Sequence, residues 1–102
     1  MIERLRARLM DLASLGQTIS YGDLARELEI PAPSIAGLTS MLETLMEQDA
    51  AQGRPFLAAV MAGRLGDGMP SLGFFEKAAE LDTAITSDPE EFVMAQRRSL
   101  RA

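Results

Sequence analysis

The sequence contains no cysteine and no histidine among its 102 residues. The absence of cysteine excludes disulfides, thiolate catalysis and cysteine-ligated zinc. The absence of histidine removes the usual general base near neutral pH and the commonest metal ligand. No arrangement of the remaining side chains forms a convincing catalytic set, so we expect a protein that is not an enzyme and that holds neither a metal nor a cofactor.

Long apolar runs and an excess of basic residues are also missing. No apolar run approaches the roughly 18 residues that a membrane helix needs, and residues 1–10 are interrupted by charge where a signal peptide would be apolar. We therefore expect a cytoplasmic protein without a membrane partner. The 10 Lys and Arg residues against 15 Asp and Glu residues give a net charge of −5. That sign opposes passive attraction to nucleic acid.

Periodicity and capping signals predict mostly helix. A length of 102 residues with 47% apolar content fits a single domain over residues 1–102. Helices are predicted over 2–15 and 21–29, from Pro33 to just before Gly53, over 73–81, and from Pro89 onward, with Gly16 as the stop of the first and with Ser20 and Asp88 as N-caps of the second and the last. Short strands are predicted over 18–20 and 56–61, although the two alanines in 56–61 would equally fit a helix. In the third helix, Ile35 shares an apolar stripe with Leu38, Leu42 and Leu45. The predicted core consists of Ile2, Leu5, Leu9, Leu12, Leu24, Leu28, Leu38, Leu42, Leu45, Leu57 and Val60.

The order of these elements predicts a helix-turn-helix. Residues 16–45 read as a short strand, a short helix, a turn marked by two prolines and a longer helix. The Gly-rich stretch over 54–73 would supply a hairpin wing. The predicted fold is therefore α+β: a mostly helical, winged helix-turn-helix-like domain with a small two- or three-stranded sheet, in which the segments 18–20 and 55–61 pair.

The residue chemistry of this scaffold does not favour DNA. The recognition helix would open with residues 34–37, which include none of the Arg, Lys, Asn or Gln side chains that read bases. Arg26, Arg54 and Arg64 could contact phosphates, but three such contacts would give weak and strongly salt-dependent binding. DNA binding in transcription or DNA repair is therefore the alternative function rather than the first.

The leading hypothesis is a non-catalytic interaction or regulatory module that binds protein, with a second copy of the chain as one option. It would use either the acidic face of the third helix (Glu43, Glu47 and Asp49) or the Gly-rich loop. A third hypothesis, a carboxylate-based hydrolase, requires a concave site that brings those acids against Tyr21 or Arg54.

The Gly-rich loop is the preferred candidate surface because it is longer than a simple hairpin connection requires and because loops on a rigid scaffold concentrate binding residues. Adjacent Phe74 and Phe75 point about 100° apart on a helix, so either both are covered or one lines an exposed groove. The terminal arginines 97, 98 and 101 either offset the dipole of the last helix or bind phosphate. The candidate binding residues are Tyr21, Arg54, Arg64, Asp67, Met69, Pro70, Phe74 and Phe75.

The segment GQTISYGDLA over residues 16–25, followed by Pro31 and by Gly37 and Leu38, resembles the start of the DNA-binding domain of the O6-alkylguanine DNA alkyltransferases and their alkyltransferase-like relatives. That resemblance implies a winged helix-turn-helix with Tyr21 as a DNA contact. Ser34 stands where the family has its base-flipping arginine, and the Pro-Cys-His-Arg or Pro-Trp-His-Arg active-site segment is absent, so alkyl transfer is not implied.

The second half of the chain resembles a small family of bacterial proteins of unknown function. The resemblance rests on Gly-Arg-Pro at 53–55, Gly-Met-Pro at 68–70 and Gly-Phe-Phe-Glu at 73–76, together with the Tyr-Gly-x-Leu-Ala helix that begins at Tyr21. It supports the domain assignment and implies no activity, cofactor or substrate.

Overall fold

The computed structural model of the chain describes residues 1–63, 67–81 and 88–101. Within these ranges it has helices α1 (Ile2–Leu15), α2 (Tyr21–Glu27), α3 (Ser34–Ala51), α4 (Leu72–Leu81) and α5 (Pro89–Arg101), strands β1 (Ile19–Ser20) and β2 (Met61–Ala62), and a 3₁₀ turn over Leu57–Val60. None of the helices in the described part of the chain has both the length and the apolar content that a membrane span requires.

Helix α1 has the predicted bounds because its ends and its apolar stripe are both local signals. Leu5, Leu9 and Leu12 are buried. Gly16 ends the helix in the left-handed conformation, with φ at 68°. Its N–H donates to the carbonyl of Ala13, which satisfies one of the carbonyls that a helix end leaves unpaired.

Helices α2 and α3 both form, with two small corrections to their predicted bounds. The Ser20 hydroxyl accepts the N–H of Asp23 at 3.1 Å, so the predicted N-cap of α2 is confirmed. Helix α2 ends two residues before the predicted boundary at 29, because Glu29 adopts a left-handed φ of 56°. Helix α3 begins at Ser34, one residue later than predicted, and packs against α2.

The small sheet has the predicted pairing but not the predicted second strand. β1 and β2 pair in parallel, with Ile19 opposite Met61. The predicted strand over 56–61 is wrong for most of its length, because Leu57–Val60 forms a buried 3₁₀ turn. The amide of Leu57 donates to a carboxylate oxygen of Asp49, so side chains satisfy backbone groups that a strand would have paired with a neighbouring strand.

The parallel pairing does not make the hairpin of a wing. Residues 64–66, in the centre of the predicted wing, lie outside the described residues. On either side of them the chain folds back, since the N–H of Gly63 donates to the carbonyl of Met69 at 2.6 Å. The described residues therefore form a mostly helical α+β fold with a two-stranded sheet.

The core lies where α1, α3, α5 and the 3₁₀ turn meet. Every predicted core residue is buried except Ile2, which is partly buried against the cluster. The sequence prediction did not include the buried residues Met46, Met61, Phe74 and Val93, or the buried acid Asp49.

Candidate binding groove

The main candidate site is a groove of about 520 Å³. It lies at the carboxyl ends of the two parallel strands and beside the first turns of α2 and α3. Its opposite side is the segment 67–71, which we call the loop wall. The described lining residues are Ser20, Tyr21, Gly22, Ile35, Thr39, Ala62, Gly63, Asp67, Met69, Pro70, Ser71 and Leu72.

Tyr21 connects the groove's helical side to the loop wall. It is the first residue of α2 because Ser20 caps that helix. Its hydroxyl oxygen accepts two hydrogen bonds, from the N–H and from the hydroxyl of Ser71, both at 3.1 Å. The half-buried ring therefore lines the groove while its polar end fixes the far end of the wall.

The loop wall is also fixed by its own backbone. An Asp67 carboxylate oxygen accepts the N–H of Met69 at 2.9 Å, which makes a tight local turn. Gly68 has a φ of 74°, a conformation that glycine adopts without steric cost. Met69 is half-buried and Pro70 is buried, so the wall presents apolar surface to the groove.

Two large apolar side chains of the groove remain exposed to water. Ile35, in the first turn of α3, is 45% exposed, and Leu72, at the start of α4, is 73% exposed. The sequence periodicity placed Ile35 on the apolar stripe of α3, but the structure places it at the edge of the groove rather than in the core. Exposed apolar side chains that share one concave site are typical of a binding surface.

The groove carries little charge. Among the described lining residues, Asp67 is the single charged side chain, and none is Arg or Lys. Hydroxyl groups of Ser20, Tyr21, Thr39 and Ser71 supply the remaining side-chain polarity. A site of this composition binds chiefly by burying apolar surface, with a few polar groups to fix orientation.

The predicted binding residues are divided by the structure. Tyr21, Asp67, Met69 and Pro70 line the same groove, although Tyr21 is far from the others in sequence. Arg64 lies outside the described residues.

The other predicted residues lie elsewhere. Arg54 borders a separate cavity of about 440 Å³, beside Pro55 and Gln96. Phe74 is buried and does not line the groove, because its ring packs edge-to-face against Phe56 at a centroid distance of 6.2 Å. Phe75 is half-buried against Phe74, so the first of the two alternatives for this pair describes them better.

The predicted acidic face of α3 is not an exposed surface of three acids. Asp49 is 1% exposed, and its carboxylate accepts hydrogen bonds from Arg6, Arg54 and the N–H of Leu57. Glu47 accepts a hydrogen bond of 2.9 Å from Lys77, and this bond raises the pKa of the Lys77 ammonium. Helix α3 thus uses its acids to hold α1, α4 and the 3₁₀ turn.

The requirements of the hydrolase hypothesis are met only in part. Asp49 does contact Arg54, at 3.2 Å, but through the buried carboxylate that also accepts hydrogen bonds from Arg6 and Leu57. The groove that contains Tyr21 is lined by none of Glu43, Glu47 and Asp49. The geometry therefore does not bring these acids together with Tyr21 in one concave site.

Sequence reasoning missed the role of Arg97. Its guanidinium donates to the carbonyls of Ala59 at 2.7 Å, Met61 at 3.3 Å and Gly68 at 2.7 Å. Burial lowers the pKa of this guanidinium. The helix-dipole and phosphate-binding interpretations both treated it as an end-of-helix charge, and no local pattern indicates a side chain that binds backbone 29 to 38 residues away.

Comparisons of the chain with models of protein families, with curated proteins and with solved structures each found no match. The function is therefore inferred from the groove and from the charge around it.

Proposed function

We propose that this chain is a non-catalytic interaction module that binds a segment of another protein in the groove. The observation that carries the proposal is the pairing of an apolar cavity of about 520 Å³ with two exposed apolar side chains, Ile35 and Leu72, at the same place. The volume is within the range of about 300 to 1,000 Å³ that is usual for ligand sites. Exposed apolar patches rimmed by polar groups usually bind other proteins.

A protein segment fits this surface better than a small molecule does. A small ligand enclosed in the cavity would leave Leu72, which is 73% exposed, largely in water. A peptide that inserts one apolar side chain between the loop wall and α3 would also cover Ile35 and Leu72. Interfaces gain most of their binding energy from such central anchors, while the polar rim excludes water.

The charge of the groove selects the chemistry of the partner. Asp67 is exposed at the rim and the whole chain has a net charge of −5, so a partner with Lys or Arg beside its apolar anchor is favoured. Two copies of the chain would repel each other at long range for the same reason. We therefore favour a basic segment of a different protein over self-association.

DNA binding has weaker support. Lys and Arg supply most of the affinity of phosphate contacts, and no described lining residue is either. Arg26 is close to the groove in sequence but is paired with Asp23 on α2. The alkyltransferase resemblance implies a paired α2 and α3, and the proposed function retains this pair. The exposed end of the pair would make an apolar contact with a protein instead of reading bases.

The proposal is tested by selecting a random-peptide library on the immobilised protein and measuring the affinity of a labelled selected peptide. Ile35→Asp should weaken binding by about tenfold or more, because the peptide would then have to cover a charge where it now covers apolar surface. Met10→Asp is the matched control. It adds the same charge at a similarly exposed residue, 55% exposed on α1 and outside the groove, and should change affinity by less than about twofold.

Four outcomes would overturn the proposal. Equal loss of affinity in Ile35→Asp and Met10→Asp, or no enriched peptide at all, would show that the groove is not the binding surface. Submicromolar binding of a random DNA duplex at about 150 mM salt would instead favour the DNA-binding alternative, since non-specific binding is usually no tighter than roughly 10⁻⁴ to 10⁻⁶ M. A dimer in sedimentation that Ile35→Asp dissociates would make a second copy the occupant.

A further inference from the structure

Arg97 joins the last helix, α5, to three backbone segments: the 3₁₀ turn, strand β2 and the loop wall. The residue is on α5 and is partly buried. Its Nε donates to Ala59 in the 3₁₀ turn, and its terminal nitrogen donates to Met61 in β2 and to Gly68 in the loop wall. One side chain therefore fixes the distance between β2 and the loop wall.

The contact with Gly68 lies at the end of the loop wall where Tyr21 does not reach. Tyr21 holds the opposite end through Ser71, and the backbone bond from Gly63 to Met69 holds the middle. Arg97 itself is not among the described residues that line the groove. It can therefore influence a bound partner only through the position of the wall.

We propose that Arg97 is a positioning residue that sets the position of the loop wall and thereby the affinity of the groove for its partner. This inference rests on the proposed function for the role of the groove. Its structural half, that Arg97 sets the position of the loop wall, does not require a partner. Its functional half is the effect of that position on affinity. It also assigns a function to α5, a helix that does not itself line the groove.

The chemistry requires arginine at this position. A guanidinium is planar and carries five N–H donors, so it can serve several carbonyls that face it from different directions. A lysine ammonium has the same charge on a flexible stem and does not reproduce the fork that joins Ala59 to Gly68. Arg97→Lys therefore keeps the charge and removes the geometry.

The structural half is tested by amide hydrogen exchange in the free protein. In Arg97→Lys, exchange at Met69 and Ser71 should become faster by about tenfold or more, because the wall then opens locally at lower cost. Val93→Ala is the control. It truncates a fully buried residue of the same helix that has no hydrogen bond to the wall, and it should leave exchange at these two amides unchanged. Equal acceleration in both variants would overturn the inference.

A measurement on the unmodified chain keeps the inference testable if Arg97→Lys does not fold. Scalar couplings across hydrogen bonds should connect the guanidinium nitrogens of Arg97 to the carbonyl carbons of Ala59 and Gly68. A coupling to Ala59 without one to Gly68 would show that Arg97 holds the 3₁₀ turn alone and does not position the wall.

The functional half uses the peptide selected on the unmodified chain. Arg97→Lys should weaken its binding by about tenfold, while Val93→Ala changes it by less than about twofold, although both variants lower stability. If the wall moves in Arg97→Lys but no peptide binds the unmodified chain, the proposed function fails and the structural half stands. If a peptide binds both variants equally, the positioning role fails and the proposed function stands.

Discussion

Replacing the buried carboxylate of Asp49 should destabilise the fold more than any replacement of an exposed acid. One carboxylate oxygen accepts hydrogen bonds from Arg6 at 3.1 Å and Arg54 at 3.2 Å. The other accepts the N–H of Leu57 at 3.1 Å. Because the residue is 1% exposed, water cannot replace these contacts without rearrangement, and Asp49→Ala removes the group that joins α1, α3 and the 3₁₀ turn.

The loss of stability on Asp49→Ala depends on how exposed to water each hydrogen-bond donor to this carboxylate is. Leu57 is 5% exposed, so its unpaired N–H would cost about 1 to 3 kcal/mol. The side chains of Arg6 and Arg54 are 25% and 49% exposed, so their solvent-screened pairings contribute about 1 kcal/mol or less together. The expected loss is about 1 to 4 kcal/mol of the roughly 5 to 15 kcal/mol typical of unfolding. The thermal midpoint should fall by about 4 °C or more.

Urea unfolding followed by far-ultraviolet circular dichroism measures this loss as a lower midpoint at an unchanged slope. Asp49→Asn should lose less than Asp49→Ala, because its single carbonyl oxygen can still accept one of the three donors. Asp11→Ala, at an exposed aspartate of α1, is the control and should stay within about 0.5 kcal/mol. A loss below about 1 kcal/mol for Asp49→Ala would refute the view that this carboxylate is a structural centre.

Three further changes test local features of the fold. Gly16→Ala should cost about 1 to 2 kcal/mol in urea unfolding, because φ is 68° and the added Cβ would lie 3.1 Å from the guanidinium of Arg101; no loss would refute the left-handed cap. Ser20→Ala should cost about 1 kcal/mol by removing the N-cap of α2, and Ser20→Asp should restore most of it; failure of the aspartate to restore stability would refute the capping role. The hydrogen bond from Lys77 to Glu47 raises the pKa of Lys77 above 10.5, so its stabilisation is present below that pH and is lost as pH rises through the folded-state pKa. As pH rises from 7, the difference in urea midpoint between the unmodified chain and Lys77→Gln should therefore shrink only above about pH 10.5, and a difference that already shrinks between pH 7 and that pH would contradict the assignment.

The helices could be predicted from sequence because their signals are local. The stripe of Leu5, Leu9 and Leu12 and the stop at Gly16 gave the bounds of α1. The carboxylate of Asp88 accepts the N–H of Glu91, as the capping pattern before α5 indicated. Each of these signals spans only a few residues.

The strand over 56–61 was predicted wrongly because its true partners are distant in sequence. Its first amides donate to the side chains of Gln96 and Asp49, and those acceptors are identified only once α3 and α5 are packed. An apolar run of this length does not by itself distinguish a strand from another buried conformation.

The candidate groove was predictable in part. Met69 and Pro70 were identified because their loop is longer than a simple turn requires and because binding residues are concentrated in such loops. Ile35 was missed because periodicity assigns it to the apolar stripe of α3, and the beginning of that stripe extends past the core. Arg97 and Asp49 were missed because charge alone does not reveal which ionised side chain will be buried against distant backbone.

The most direct test of the binding groove is a map of amide chemical-shift changes when a selected basic, apolar-anchored peptide is added to the labelled protein. We expect the largest changes at Tyr21, Ile35, Met69 and Leu72, with the amide of Arg54 unaffected because it borders a different cavity. Changes centred on Arg54, or spread evenly over the exposed residues of α1, would contradict the proposal that this groove is the surface with which the chain binds its partner.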